Sequence, residues 1–529
     1  MIFSKKSFVQ KAYLNYINNV ALPEFHKDNT VYGNTLQGVF AFPKEKDLQI
    51  KVAAAYDELL SRISVKKLIR LSEEARNFFY DERRKYWYEL DWKSIDLSRR
   101  RLSHLTDDQY SAVLKMGTFM SDGYYRQQCV ERLNRFEGTL PYFILRLNDW
   151  VVQVRECAFL MAQSRIQECN IVEIFASLSM MEKVKCSGRR SDEHIFQIEE
   201  RIKETLAQMF SDISEQTLNE IHSYEVNTKN AIYRLLSQNK MLGRAAMEKL
   251  LLLEKASYGK TVLIRGIFDH YGYEPLRINQ YLKSKSAVVR YYALLFRYEK
   301  EQQAWDGLEK MLLDRSARIR DHASYILEKH TDIRALDFYL DRLADQVSKI
   351  VLLGIGEHGS EKEADVVSPF LESSEEQIAT AALEAYGKLV GEGGAFVYWK
   401  SLNDSRPSVS GRAYRLIRKY RIRYGASQIY DAFLQNRKTV LGGYLLKLLL
   451  REPSWERMPY LLLLYGDKDL SDTNQNLIVA GIKSRYVYAK ISMQQKQKIL
   501  DILDQKSNQI PEEIKKAIKF DLKHVVVRN

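Results

Sequence analysis

"LLDRSARIRDHASYILEKH", Leu312 to His330, decides the fold, because it recurs. Counting from Leu312, an aspartate stands two positions on (Asp314), an aliphatic residue seven on (Ile319), an arginine eight on (Arg320) and a small residue eleven on (Ala323). "LNDWVVQVRECA" repeats the rule with Leu147, Asp149, Val154, Arg155 and Ala158, and "LKSKSAVVRYYA" with Leu282, Ser284, Val289, Arg290 and Ala293. Later units keep the apolar skeleton and lose the arginine: Leu343/Asp345/Ile350/Gly354, Leu371/Ser373/Ile378/Ala382, Leu402/Asp404/Val409/Ala413 and Leu434/Asn436/Leu441/Leu445. From Leu282 to Leu434 the starts step by 30, 31, 28, 31 and 32 residues. A sustained period of this length means stacked units, each too small to bury its apolar face alone.

Two amphipathic segments fit in each period. The second starts near the Asp or Ser, a residue type able to cap it, and turns such as "GIGEHGS" and "GEGG" join the units. With only 9 prolines and 24 glycines in 529 residues, 45% of them hydrophobic, the chain favours helix and has ample material for a core. The predicted fold is all-α: a right-handed α-solenoid of stacked antiparallel helix pairs with atypical helical caps at both ends. The expected organisation is an irregular, partly helical capping region over residues 1–100, diverged units with a longer-helix insertion over 101–235, the regular array over 236–465 and a Lys-rich helical cap over 466–529.

The pattern resembles HEAT repeats, specifically the short kind of roughly 30 residues also called phycobilisome-lyase-type HEAT-like repeats. The resemblance is carried by Asp149/Val154/Arg155/Ala158, by Asp314/Ile319/Arg320/Ala323 and by the turn-like "LLGIGEHGS", Leu352 to Ser360. It covers about a third of the chain strongly and extends weakly to "SDGYYRQQCVERL", Ser121 to Leu133, and "LSQNKMLGRAAMEKL", Leu236 to Leu250. It implies a bracing role for Arg155, Arg290 and Arg320, acting through the aspartates of neighbouring turns. On position alone, Asp149 and Asp314 read as caps of the second helix.

The net charge is +13, and one stretch concentrates it: "RPSVSGRAYRLIRKYRIRY", Arg406 to Tyr424, has seven basic residues and no acidic one. If Val409, Ala413, Leu416 and Tyr420 form the buried stripe, Arg412, Arg415 and Lys419 share one flank and Arg418 points away. The residue seventeen after each start is Lys388, Lys419 and Arg451 in the last three units, and the thirteenth is Arg415 and then Lys447 in the last two. Arg412, Arg415, Lys419, Lys388, Lys447 and Arg451 are therefore the candidate patch for an anionic partner. The alternative is a solvated face whose cations sit at helix C-termini for dipole reasons. Two further clusters, Arg83/Arg84/Lys85 and Arg99/Arg100/Arg101, interleave with Tyr86, Trp87, Tyr88 and Trp92, as nucleic-acid stacking or a snorkelling helix would require. From Ile482 onward eleven basic residues face five acidic ones.

No catalytic or cofactor motif is visible. Cys129, Cys157, Cys169 and Cys186 lie 28, 12 and 17 positions apart without a CxxC pair, which speaks against zinc and for reduced, mostly buried thiols. His322 and His330 are eight apart, too far for a helical metal pair. The glycine-rich turns lack the Lys-Ser/Thr of a phosphate loop, and Trp305 beside Asp306 points two ways on one helix. No apolar run approaches the roughly 18 residues of a membrane span, and no secretory segment opens the chain, so a cytoplasmic, non-membrane protein is expected. The leading expectation is a non-catalytic scaffold that engages a macromolecular partner, foremost a protein, without a cofactor. The alternative is a nucleic-acid binder using residues 406–424; fold resemblance alone adds bilin lyases and alkylpurine DNA glycosylases as remote enzymatic readings.

Overall fold

The computed structural model describes residues 36–77, 90–186, 192–209, 215–486 and 489–528. Packing divides the chain into two compact units, residues 1–296 and 297–529.

Unit 1 contains α1 (Lys46–Arg62), α2 (Val65–Asn77), α3 (Asp107–Gly117), α4 (Gly123–Leu133), α5 (Leu140–Arg146), α6 (Val152–Glu168), α7 (Ile171–Lys185), α8 (Asp192–Met209), α9 (Glu215–Ser223), α10 (Val226–Gln238), α11 (Arg244–Leu253), α12 (Ser257–Tyr271), α13 (Pro275–Leu282) and most of α14 (Ala287–Glu301), inside which the division falls. Neighbouring elements pack in sequence: α3 on α4, α4 on α6, α5 on α6 and α7, α10 on α7 and α12, α11 on α12. Two long helices, α6 and α8, lie within the 101–235 stretch of diverged units and pack on each other.

Unit 2 is the clearer array. A short 3-10 helix, Leu308–Leu313, precedes α15 (Ala317–His330); then come α16 (Ala335–Asp345), α17 (Lys349–His358), α18 (Ala364–Val367) with the 3-10 turn Ser368–Glu372, α19 (Glu376–Val390), α20 (Ala395–Leu402), α21 (Pro407–Lys419), α22 (Ala426–Gln435), α23 (Val440–Leu449), α24 (Ser454–Leu464), α25 (Asp472–Lys483), α26 (Met493–Gln505) and α27 (Glu512–His524). Each first element packs on its own second helix: Leu308–Leu313 on α15, α16 on α17, α18 and its 3-10 turn on α19, α20 on α21, α22 on α23. The second helices α15, α17, α19, α21 and α23 then pack side by side in chain order. This is an all-α array of stacked helix pairs, the HEAT-like arrangement. Two short strands break the helical rule: β1 (Lys490–Ser492) and β2 (Val526–Arg528) pair in parallel around α26 and α27.

The repeat positions explain the stacking. Leu312, Ile319, Ala323, Leu402, Val409, Ala413 and Leu445 are buried, as are Leu147, Val154, Ala158, Leu282, Val289 and Ala293 in unit 1. Each large aliphatic side chain so buried contributes roughly 1.5–3 kcal/mol. In two units the register slides by one: Val351 is buried where Ile350 is half-buried, and Phe433 where Leu434 is half-buried.

Two expectations need correction. "LLGIGEHGS" is not a turn, for Leu352 to His358 lie inside α17. Its glycines serve close approach: a Cβ on Gly354 would come 2.3 Å from the Tyr339 ring, and one on Gly356 would come 2.5 Å from the Ala385 Cα of α19. Asp314 does not cap the second helix either. Its Oδ1 accepts from the N–H of Ser316 at 2.8 Å, and Ser316 is itself the N-cap residue, so the aspartate closes the turn before the helix. Asp149, Ser284, Ser373 and Asp404 accept the same i+2 N–H in their units.

Candidate partner-binding surface

The recurrent arginines share one geometric job. Nη1 of Arg155 donates to the Asp149 carbonyl at 2.6 Å, Nη1 of Arg290 to the Ser284 carbonyl at 2.7 Å, and Nη1 of Arg320 to the Asp314 carbonyl at 2.8 Å. The bond always reaches six residues back, onto the carbonyl of the residue whose side chain shapes the turn. The arginine therefore clamps the backbone of the turn. Arg126 does the same to the Met120 carbonyl at 2.7 Å, and sequence reasoning missed it because the unit's leucine and aspartate are replaced by Thr118 and Met120.

The other guanidinium edge ties one repeat to the next. Arg126 grips Asp149 through Nε and Nη2 at 2.9 and 2.7 Å, with Arg146 on the same carboxylate. Burial alone would push the Asp149 carboxyl up, but Arg146 and Arg126 outweigh it and hold it below the ordinary value. Arg320 grips Glu357 of α17 at 2.9 and 2.6 Å, and Lys388 of α19 reaches the same carboxylate at 2.9 Å. Glu357 is held low for the same reason: burial opposes ionisation, and Arg320 and Lys388 outweigh burial. Farther along, Arg412 of α21 pairs with Glu384 of α19. A ladder of ion pairs thus runs along the second helices from α15 to α21.

That ladder consumes two residues of the expected basic patch. Lys388 and Arg412 are half-buried and paired, so the three cations expected on one accessible flank reduce to two. Arg415 and Lys419 on α21, Lys447 on α23 and Arg451 just beyond it are exposed and form no ion pair among the described residues. Lys419 leans over the Tyr420 ring at 4.7 Å. Several repeats earlier, exposed Tyr325 of α15 sits edge-on to Tyr298, with Lys329 over both rings and His322 stacked on Tyr325. Tyrosine beside an exposed lysine suits a protein contact, since a rigid amphipathic ring adds area at little entropic cost.

The remaining candidates resolve into structure. Arg99 donates to the carbonyls of Leu102 and Leu105, both at 2.8 Å, and pairs with Asp107, while Trp92 is buried edge-on to Tyr125. Arg99 and Trp92 thus brace the local structure, while Arg100 is exposed. Arg83, Arg84, Lys85, Tyr86, Trp87 and Tyr88 lie outside the described residues. Trp305 lies against the Arg297 guanidinium at 4.3 Å, and Asp306 faces solvent. Cys129, Cys157 and Cys169 are buried and Cys186 is exposed; burial pushes the Cys157 and Cys169 thiols up to about 12 and about 11. Among the described residues no group of three His, Cys, Asp or Glu is placed to hold a metal ion, and no helix is long and apolar enough to cross a membrane.

One feature was not legible in the pattern. Arg421, Arg423 and Arg451 line a cavity of about 100 Å³, walled by Ile422, Tyr424, Ile429 and Leu448, and Glu452 stands in it only 4% exposed. No rule in the repeat marks Glu452, which follows the second helix of its unit.

No family model matches the chain, and no curated protein matches it. Among solved structures the chain is similar to the karyopherin Kap121p bound to the SUMO protease Ulp1p, at 13% identity and a TM-score of 0.28 over 96% of this chain and 58% of that one. The same karyopherin bound to RanGTP gives 13% identity and a TM-score of 0.27. A structure of microtubule polymerases with tumor overexpressed gene (TOG) domain arrays gives 12% identity and a TM-score of 0.19 over 81% of this chain. The chain spans less than two thirds of the karyopherin's length. The fold assignment rests on the helix pairing itself.

Proposed function

We propose that this chain is a non-catalytic scaffold that engages a protein partner through the exposed side of its second helices. The observation that carries the reading is the division of labour among charges. Those between repeats are paired into the ladder Arg320–Glu357–Lys388 and Glu384–Arg412, whereas Arg415, Lys419, Lys447 and Arg451 stay exposed without an ion pair among the described residues. Unpaired cations on α21 and α23, with exposed Tyr325 on α15 farther along the same set of second helices, favour an acidic partner surface. The finer assignment to short, phycobilisome-lyase-type repeats belongs to the same proposal and is supported by the spacing and the carbonyl-clamping arginine.

The same four cations also support a second reading, binding to nucleic acid. Both are tested by affinity capture from the native cell with and without nuclease, using the chain and its Arg415→Glu/Lys419→Glu/Lys447→Glu variant. Arg412 is left alone because reversing it would break the Glu384 pair. A partner retained after nuclease and lost at least tenfold by the variant supports the protein reading. Loss on nuclease treatment alone favours nucleic acid, and capture indifferent to both removes the basic face from either account.

A further inference from the structure

The cavity beside Glu452 deepens the proposed function by naming what the partner presents. It lies where two consecutive second helices end: Arg421 and Arg423 follow α21, and Arg451 and Glu452 follow α23. The backbone there is fixed from both sides. Arg421 takes a left-handed conformation, φ 54°, with the Ile422 N–H closing on the Ile417 carbonyl at 3.0 Å, a helix-ending motif that normally falls to glycine. Beneath the other wall, buried Arg457 donates to the carbonyls of Leu450 and Glu452 at 2.5 and 3.0 Å and to the Ser484 carbonyl at 3.0 Å. The turn that carries Arg451 and Glu452 is thereby held in place before any ligand arrives.

The charges in this rigid cavity are not spent on one another. Arg421, Arg423 and Arg451 make no ion pair among the described residues, and the Glu452 carboxylate, which lines the cavity, has neither an ion-pair nor a hydrogen-bond partner among them. Burial pushes the Glu452 carboxyl above its ordinary value, against the pull of Arg423 and Arg451. A carboxylate in so confined a site is poorly hydrated, and a ligand N–H that donates to it replaces the hydration it lacks. Three cations at the rim call for an anion, and one carboxylate inside calls for an N–H. The cavity has space for several waters and so for a carboxylate and an adjacent amide. A phosphate dianion would face both Glu452 and the negative ends of α21 and α23; a singly charged carboxylate faces them at lower cost.

We propose that this cavity docks an acidic peptide segment of the partner, whose carboxylate is held by Arg421, Arg423 and Arg451 and whose backbone N–H is accepted by Glu452. The inference rests on the protein-partner reading and is tested apart from it, by fluorescence anisotropy with the full chain. The probes are a fluorescein-labelled hexapeptide of aspartate and glutamate, a labelled oligothymidylate of matched charge, and inorganic phosphate as competitor. The expected result is saturable peptide binding, weakened at least tenfold by Arg423→Glu/Arg451→Glu and unchanged by Lys516→Glu on α27, with oligothymidylate weaker and millimolar phosphate a poor competitor. Glu452→Gln is expected to weaken the peptide severalfold while leaving phosphate no weaker, which an effect of net charge alone would not produce. Thermal melts of every variant guard against misfolding, and Arg423→Gln/Arg451→Gln repeats the test with a milder change. Absence of peptide binding, equal or tighter oligothymidylate binding, or insensitivity to both double variants overturns the proposal. Should peptide binding fail while the native partner is still lost with Arg415→Glu/Lys419→Glu/Lys447→Glu, the scaffold reading survives and only the cavity's role falls.

Discussion

At the scale of single residues, the charged positions of the repeat divide by what their side chains touch. Arg320 is almost wholly buried and bonds both a turn carbonyl and Glu357. Arg320→Ala is expected to cost about 1.5–3 kcal/mol, because it removes the charge-assisted bonds to Glu357 and leaves that carboxylate to Lys388 alone, whereas Arg155→Ala, which releases carbonyl bonds from a half-buried side chain, is expected to cost about 1 kcal/mol. Urea denaturation of the two variants measures the difference, and equal effects would contradict the clamp-and-bridge assignment. Glu452 gives the opposite sign: burial raises its folded value, so ionisation above the unfolded value opposes folding. Glu452→Gln should raise the urea midpoint at neutral pH and leave it unchanged in acid, where the native side chain is already protonated. The recurrence of Arg155, Arg290 and Arg320 was readable from spacing. Their partner was not, since a periodic arginine marks a shared environment and not whether a carbonyl or a carboxylate fills it. Glu357 and Arg126 stayed hidden because neither obeys the pattern that would have drawn attention to it.

At the scale of the element, what the periodicity conveys well is which face of each helix is buried; what it conveys poorly is where helices end. Val409, Ala413 and Leu416 form the buried stripe of α21 as the spacing requires, joined by Ile417, whereas Tyr420, expected in the stripe, is half-buried and ends the helix as its C-cap. Yet Gly354 and Gly356 look like turn residues and lie in α17, because close approach to Tyr339 and Ala385 demands glycine as surely as a turn does. The distinction is measurable. Gly354→Ala is expected to destabilise by about 1–3 kcal/mol through overpacking. Gly443→Ala, in α23 with open space around it, is expected to stabilise by about 0.5–1 kcal/mol through helix propensity. Thermal melts moving in the same direction for both would contradict this account of why α17 carries its glycines.

At the scale of the whole molecule, stability and binding draw on different charges. Asp149, Glu173 and Glu254 are buried carboxylates and Glu357 a half-buried one, each held below its ordinary value by its hydrogen-bond and cationic partners despite burial. Depressed values stabilise the fold above the unfolded carboxylate range near pH 4 and lose that contribution as the pH falls through the folded values. The urea midpoint should therefore be nearly flat from about pH 7 to 5 and drop steeply below about pH 4. The central claim concerns the other set of charges and the helices that present them. A photo-crosslinking amino acid placed singly at Tyr325, Arg415 and Lys447 on second helices, and at exposed Phe396 on the first helix α20, reports which side meets the partner in the native cell. The account predicts one protein crosslinked from Arg415 and Lys447, with Tyr325 in support and Phe396 silent; crosslinks from Phe396 alone, or nucleic acid in place of protein, would contradict it.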